Sequence, residues 1–229
     1  MVARLVRDEE VAGSSPAIPT MDFQEVAKKR RMVRNYTGDQ IDAAVLDGIL
    51  ETARRVPSAG FSQGQALVAV TDPELKAKLA EIAQEQVYVK AGFDPWVSRS
   101  GAVVVVCVSE DAYHRRYAEP DKAGEDSSEM EWPVPYWWVD AGCTMMMLLL
   151  AAVDAGLAAG FLGSSGEGYV KLRELLGIPE EFQPIGMVTI GNPAEDRRSG
   201  SLKRGWKDSA DVIHYNGWRS ADSGVAGDV

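Results

Sequence analysis

Five positive side chains fall within seven residues at Lys28, Lys29, Arg30, Arg31 and Arg34, with no carboxylate among them. The chain around them is acidic, with 34 Asp and Glu against 24 Lys and Arg. Arginine forks hold phosphate bidentately, so Arg30 and Arg34 suit an anion clamp if the helix continues or the chain turns after Met32. Cations in the last turn of a helix also favour its dipole without any ligand, and a plain solvated face is the other reading. Residues 57–64, PSAGFSQG, hold two glycines, two serines and a proline. Such backbone can approach a flat ligand closely, although an ordinary turn has the same composition. His114 and His214 are too few and too far apart for a zinc site or a His-based triad. Cys107 and Cys143 both lie in apolar surroundings and read as reduced core thiols. Asp140 and Asp154 can be read as catalytic carboxylates, but helix-end roles suit them better. Asp140 then serves as a cap, whereas Asp154, disfavoured by the dipole at a C-terminal end, calls for a basic partner.

The two aspartates bracket thirteen consecutive uncharged residues, in which only Thr144 has a polar side chain. This pattern predicts a helix with no wet face. It is shorter than the about 20 apolar residues of a membrane span, so it reads as a core helix. One domain of this size rarely surrounds a helix completely, which points to a second subunit on its other side. The net charge of −10 opposes binding to nucleic acid and to anionic membrane surfaces. Other elements follow from capping residues and periodicity: a helix from Asp22 to about Arg31, another from Asp42 to before Pro57, and a third over residues 73–86. Strands are expected at residues 66–70, at 102–108, within 156–168 where the strand ends in the turn GFLGSSGEG, and at 185–190, with a short helix over 169–176. Residues 110–138 read as a long irregular insertion, in which Trp132, Tyr136 and Trp137 suit a cover over a planar ligand. Residues 1–20 lack the features of a signal or transit peptide, which predicts a cytoplasmic protein. They and residues 219–229 read as disordered ends of one domain over 21–218.

Four motifs in this order resemble the nitroreductase family of flavin enzymes, over residues 22–218. They are RRMVRNY at 30–36, PSAGFSQG at 57–64, the apolar helix leading into GFLGSSG, and IGMVTIGNP at 185–193 with a basic segment before DVIHYNGW. The resemblance implies an α+β fold, a central mixed sheet flanked by helices, assembled as an intertwined homodimer with FMN at the interface. It places Arg30, Arg31, Met32 and Arg34, with Arg204 and Lys207, at the FMN phosphate and ribityl chain. A loop carrying Pro57, Ser58, Ala59, Phe61 and Ser62 comes from the other subunit, and Leu162, Gly163 and Ser164 line the flavin ring. The implied activity is hydride transfer from NAD(P)H through FMN to a small nitroaromatic, quinone or other conjugated acceptor, with no catalytic side chain required. Phe61 and the aromatic cover then face the acceptor. Family members often have asparagine where this chain has Phe61, a Pro-Trp pair at Gly64 and Gln65, and an arginine at Trp206. The flavin edge that asparagine would meet is expected to find backbone N–H groups of the loop instead. A non-catalytic flavin or deazaflavin binder, and a flavin-fragmenting or dehalogenating relative, are the rival readings.

Overall fold

The computed structural model describes residues 21–123, 131–197 and 199–218. These fall into two units, one ending at Asp196 and one beginning at Arg197. The first holds helices α1 (Phe23–Lys29), α2 (Ala43–Ala53), α3 (Pro73–Ile82), α4 (Glu85–Lys90), α5 (Glu110–Tyr117), α6 (Tyr136–Asp154) and α7 (Gly166–Leu176). Its strands are β1 (Gln65–Val70), β2 (Ala102–Val108), β3 (Ala158–Leu162) and β4 (Gln183–Gly191), in spatial order β1-β2-β4-β3. Every neighbouring pair is antiparallel. The mixed character expected of the sheet is confined, among the described residues, to one parallel bridge between Met32 and Ala159.

Strand β2, AVVVVCV, has no polar alternation, and an apolar run of that length requires cover on both faces. Every one of its residues is buried. Val103, Val105 and Cys107 point into a core with Leu79 of α3 and Leu172 of α7, whereas Ala102, Val104 and Val106 join Ile49 of α2 and Leu148 and Leu149 of α6. The period of two thus sorts one strand between two helical layers. Burial pushes the Cys107 thiol up to about 12.

Short polar caps start the helices where the sequence places them: Asp22, Asp42 and Asp72 each accept a backbone N–H from the first turn. Two expectations about these helices are corrected. The helix over 73–86 is broken by Gln84, whose φ of 54° is left-handed, and α4 starts afresh after it. Residues 110–117, read as irregular, form α5, capped by Ser109 with Glu110 and Asp111 in the first turn and His114, Arg115 and Arg116 in the last. Charge of this order matches the helix dipole.

Helix α6 is long and apolar enough to cross a membrane, yet it lays Leu148, Leu149 and Ala152 against the sheet. It begins at Tyr136, a full turn before Asp140. Its opposite side exposes Val139, Cys143 and Met146 at helical spacing. Cys143 is therefore not a core thiol.

The second unit consists of two 3-10 turns, Gly200–Arg204 and Ser209–Asp211, capped by Ser199 and Asp208. Leu202, Trp206, Val212, Ile213, Tyr215 and Trp218 of this unit are all exposed.

Candidate functional site

The basic segment leaves α1 at Arg30, the C-cap, whose ψ of 120° is already extended. Convergence of Arg30 and Arg34 by a continuing helix or a turn is thereby replaced by an extended chain lying on β3. Met32 bridges Ala159, and Val33 N–H donates to the Ala159 carbonyl at 3.0 Å. The approach is so close that a Cβ on Gly160 would collide with the Val33 carbonyl oxygen, which is why glycine stands there. Tyr36 fixes the far end: fully buried, its hydroxyl meets Thr189 Oγ1 at 2.8 Å and donates to the Val33 carbonyl. Burial raises its pKa well above the usual phenol value.

The cations differ in their partners. Lys29 pairs with Glu25 at 2.6 Å, and Arg31 lies 4.0 Å from Asp196. Arg30 and Arg34 meet no carboxylate among the described residues. The Arg34 guanidinium instead lies over the Trp96 ring, 5.7 Å from its centroid. At the Met32 bridge the chain runs parallel to β3, and beyond Val33 it reaches the C-terminal end of β4, where Tyr36 bridges Pro193; the turn after Leu162 lies at the other end of β3. In that turn Ser164 N–H donates to the Tyr169 hydroxyl at 3.2 Å, which donates to the Ile185 carbonyl at 2.8 Å. The Leu162 side chain is buried in the core, so the turn offers Leu162 by its backbone only, with Gly163 exposed and Ser164 half-buried.

Residues 57–64 follow different rules. Gly60, Phe61 and Gln63 all have left-handed φ values, 60°, 58° and 51°. Phe61 N–H donates to the Ser58 carbonyl, Ser62 N–H to the Ala59 carbonyl, and Gln63 N–H to Ser58 Oγ. Ala59 N–H donates to Asp140 Oδ2 at 2.8 Å, and the same oxygen accepts the Tyr113 hydroxyl at 2.8 Å. Asp140 is therefore a buried strut inside α6 rather than its cap, because the helix starts a turn earlier. Asp154 accepts the Met21 backbone N–H at 2.7 Å where a basic partner was expected. Arg116 donates to the Gly60 carbonyl, and α5 presses so close that a Cβ on Gly60 would lie 2.6 Å from the Tyr117 ring. The N–H groups of Ala59, Phe61, Ser62 and Gln63 are thus committed within the protein, contrary to the expectation that they await a ligand. Phe61 projects outward, 70% exposed, at the rim of a cleft of about 610 Å³ shared with Arg55, Gln65 and Thr144. Gln65 Nε2 is buried there without a partner among the described residues.

The aromatic residues expected as a cover are mostly packing. Trp132 lies 4.6 Å from the Tyr117 ring and 5.6 Å from Trp137, and Trp137 is buried against Tyr113 and His114. Trp137 cannot stack on an acceptor without leaving this cluster. Of the three, Tyr136 is the exposed ring. Residues 124–130 lie outside the described residues. Burial, followed by the Asp140 contact, raises the Tyr113 pKa. Arg204 and Lys207 are exposed in the second unit, Arg204 closing a 3-10 turn.

A family model described as the nitroreductase family matches residues 27–192. The chain belongs to that family. Among its nitroreductase relatives, the FMN reductase (NADPH) of Bacillus subtilis is 27% identical over 174 residues, 74% of this chain and 65% of the relative. The chain thus spans just under two thirds of that protein's length. A putative NADH dehydrogenase/NAD(P)H nitroreductase of Archaeoglobus fulgidus is 28% identical over 170 residues, 73% of this chain and 83% of the relative. The NADPH:FMN oxidoreductase of Vibrio harveyi, solved with NAD+, has a TM-score of 0.64 and 21% identity, covering 86% of this chain and 78% of its own. It shares the fold. Trp96 meets Arg34, and Asp140 meets Ala59, from distant parts of the chain, contacts that the sequence did not disclose.

Proposed function

We propose that this nitroreductase-family chain is an FMN-dependent enzyme that takes hydride from NAD(P)H and passes it to a small conjugated acceptor, such as a nitroaromatic or a quinone. The observation that carries the reading is Arg30 and Arg34: two cations without carboxylate partners among the described residues, in an acidic chain, on a segment bridged to β3 at Met32. An uncommitted guanidinium suits a phosphate, which accepts charge-assisted, bidentate bonds. The surroundings fit FMN, with cations beside β3, an exposed glycine turn after it, and a Trp96 indole N–H that is buried without a partner among the described residues.

When bound, FMN supplies the ring that accepts and delivers hydride. Arg30, Arg31 and Arg34 bind and orient its phosphate and polyol, with Met32 packed in the same segment. Gly163 and Ser164 present a flat backbone edge held by Tyr169. The 57–62 loop of a second subunit closes the site, giving it shape through Pro57, Phe61 and Ser62. The names of the relatives, an FMN reductase and an NADPH:FMN oxidoreductase, favour the same chemistry.

A homodimer belongs to this reading, because Val139, Cys143 and Met146 form an exposed stripe on α6 with no cover among the described residues of its own unit. A cytoplasmic location belongs to it as well. The test is the absorbance spectrum of the purified chain saturated with FMN and desalted, before and after anaerobic NADPH or NADH. Flavin absorbance that bleaches with either nucleotide is expected. Retained but unbleached flavin would make the chain a non-catalytic binder, and no retained flavin would end the reading. Sedimentation as a monomer at micromolar concentration would remove the dimer.

A further inference from the structure

Arg34 needs to be held still if it is to bind an anion, and the usual holder, a carboxylate, would neutralise the charge that makes it useful. The structure holds it by an aromatic face. Its guanidinium lies over Trp96, within the about 6 Å at which a ring quadrupole attracts a cation. The ring carries no net charge, so the guanidinium is fixed while its charge stays available to a ligand.

Trp96 itself is anchored with unusual care. It is 1% exposed, and the Tyr88 ring meets it edge-on at 6.2 Å. Its backbone N–H donates to Glu85 Oε1 at 2.7 Å, as do the N–H groups of Val97 at 2.6 Å and Ser98 at 3.2 Å, while Ser98 Oγ donates to Oε2 at 2.7 Å. Glu85 is 4% exposed and meets no cation among the described residues. A buried carboxylate is costly unless hydrogen-bonded, and here four donors satisfy it, so the turn at 96–98 is gathered around one point. Lys76, buried with its pKa lowered by desolvation, donates to the Ser100 carbonyl and closes the other end of that turn. The left-handed break at Gln84 restarts the helix with Glu85 as its first residue. Glu85, Ser98 and Lys76 have no part in the flavin site as described above.

We propose that Trp96, anchored by Glu85, is the positioning residue that holds Arg34 over the cofactor phosphate with its charge uncommitted. The inference rests on the FMN reading. It predicts energetic coupling between two residues, which a merely structural tryptophan would not give.

The experiment is a double-mutant cycle on the full chain, with FMN affinity measured by equilibrium dialysis and melting temperature recorded alongside. Trp96→Leu should weaken FMN about 5- to 30-fold, the range of a partly desolvated cation–π contact. In an Arg34→Ala background the same substitution should change affinity less than about twofold. Trp96→Phe, which keeps a ring, should recover most of the loss, and it replaces Trp96→Leu in the cycle if the latter does not purify. An equal effect of the tryptophan substitution in both backgrounds overturns the inference and leaves the FMN reading standing. An Arg34→Ala protein with undiminished FMN affinity overturns both.

Discussion

The segment at 30–36 and the loop at 57–64 are the two stretches that the sequence marks for a flavin, and the protein treats them in opposite ways. The first is bonded to the sheet through the Val33 N–H and through the Tyr36 hydroxyl, which meets Thr189 Oγ1, while its guanidinia at Arg30 and Arg34 meet no carboxylate among the described residues. The second uses up its own backbone donors: four N–H groups are committed to Ser58, Ala59 and Asp140, and a carbonyl to Arg116. Affinity should therefore reside in the first and shape in the second. A cation without a partner contributes a new charge-assisted bond when an anion arrives, whereas a committed N–H has to give one up.

The sharpest way to break this comparison is to remove both guanidinia. Arg30→Ala with Arg34→Ala should weaken FMN at least about a hundredfold, from two charge-assisted contacts of about 1.5–3 kcal/mol each, with little change in melting temperature. A double mutant that purifies as yellow as the wild type would transfer the affinity elsewhere. Next in size is Asp140→Leu, which leaves the Ala59 N–H and the Tyr113 hydroxyl without an acceptor. Denaturant unfolding should show a loss of about 2–4 kcal/mol, with a smaller change in FMN affinity than the arginine pair gives; the reverse order would show that the loop binds rather than shapes.

The same network predicts a pH effect. Tyr36 and Tyr113 have pKa values raised in the folded protein, so their contribution is complete below about pH 10, the value for an unfolded tyrosine, and is lost as pH rises beyond it. Tyr113→Phe should flatten that alkaline decline, and an unchanged profile would remove Tyr113 from it. The smallest expected effect is at Phe61, whose φ of 58° suits asparagine better than a bulky side chain. Phe61→Asn should be neutral or stabilising by up to about 1 kcal/mol in thermal unfolding, keep FMN within about tenfold, and shift the relative rates with nitroaromatic and quinone acceptors. A large affinity loss with an unaltered acceptor profile would make Phe61 a cofactor contact.

How far the sequence disclosed all this depends on the range of each interaction. Strand β2 was legible because seven apolar residues admit one environment, and α1 and α2 because Asp22 and Asp42 cap them locally. The break at Gln84 was not, since glutamine carries no mark of a left-handed φ. Helix α5 was hidden inside an aromatic and charged stretch, although Ser109 followed by acids and then by bases was an available signal. Asp140 was misplaced because the helix was started at its first apolar residue, while Tyr136, Trp137, Trp138 and Val139 already belong to it. For the site, the cations were visible as a cluster, but only the fold separates Arg31, near Asp196, from Arg30 and Arg34. Trp96 sits sixty-two positions from Arg34, and nothing local in either stretch announces the pair.

Gly160 has a consequence in time as well as in space. With the Val33 carbonyl sitting where a Cβ would be, the basic segment is secured by the Val33 N–H bond to β3 and by the buried Tyr36 hydroxyl at Thr189 of β4, whereas β2 is paired on both edges and buried on both faces. Amide protons of β2 should exchange with deuterium only when the whole unit opens, and those around Met32 and Val33 through a smaller, more frequent lifting of the segment. The rate of that lifting sets an upper limit on how long a ligand gripped by Arg30 and Arg34 together can remain in place.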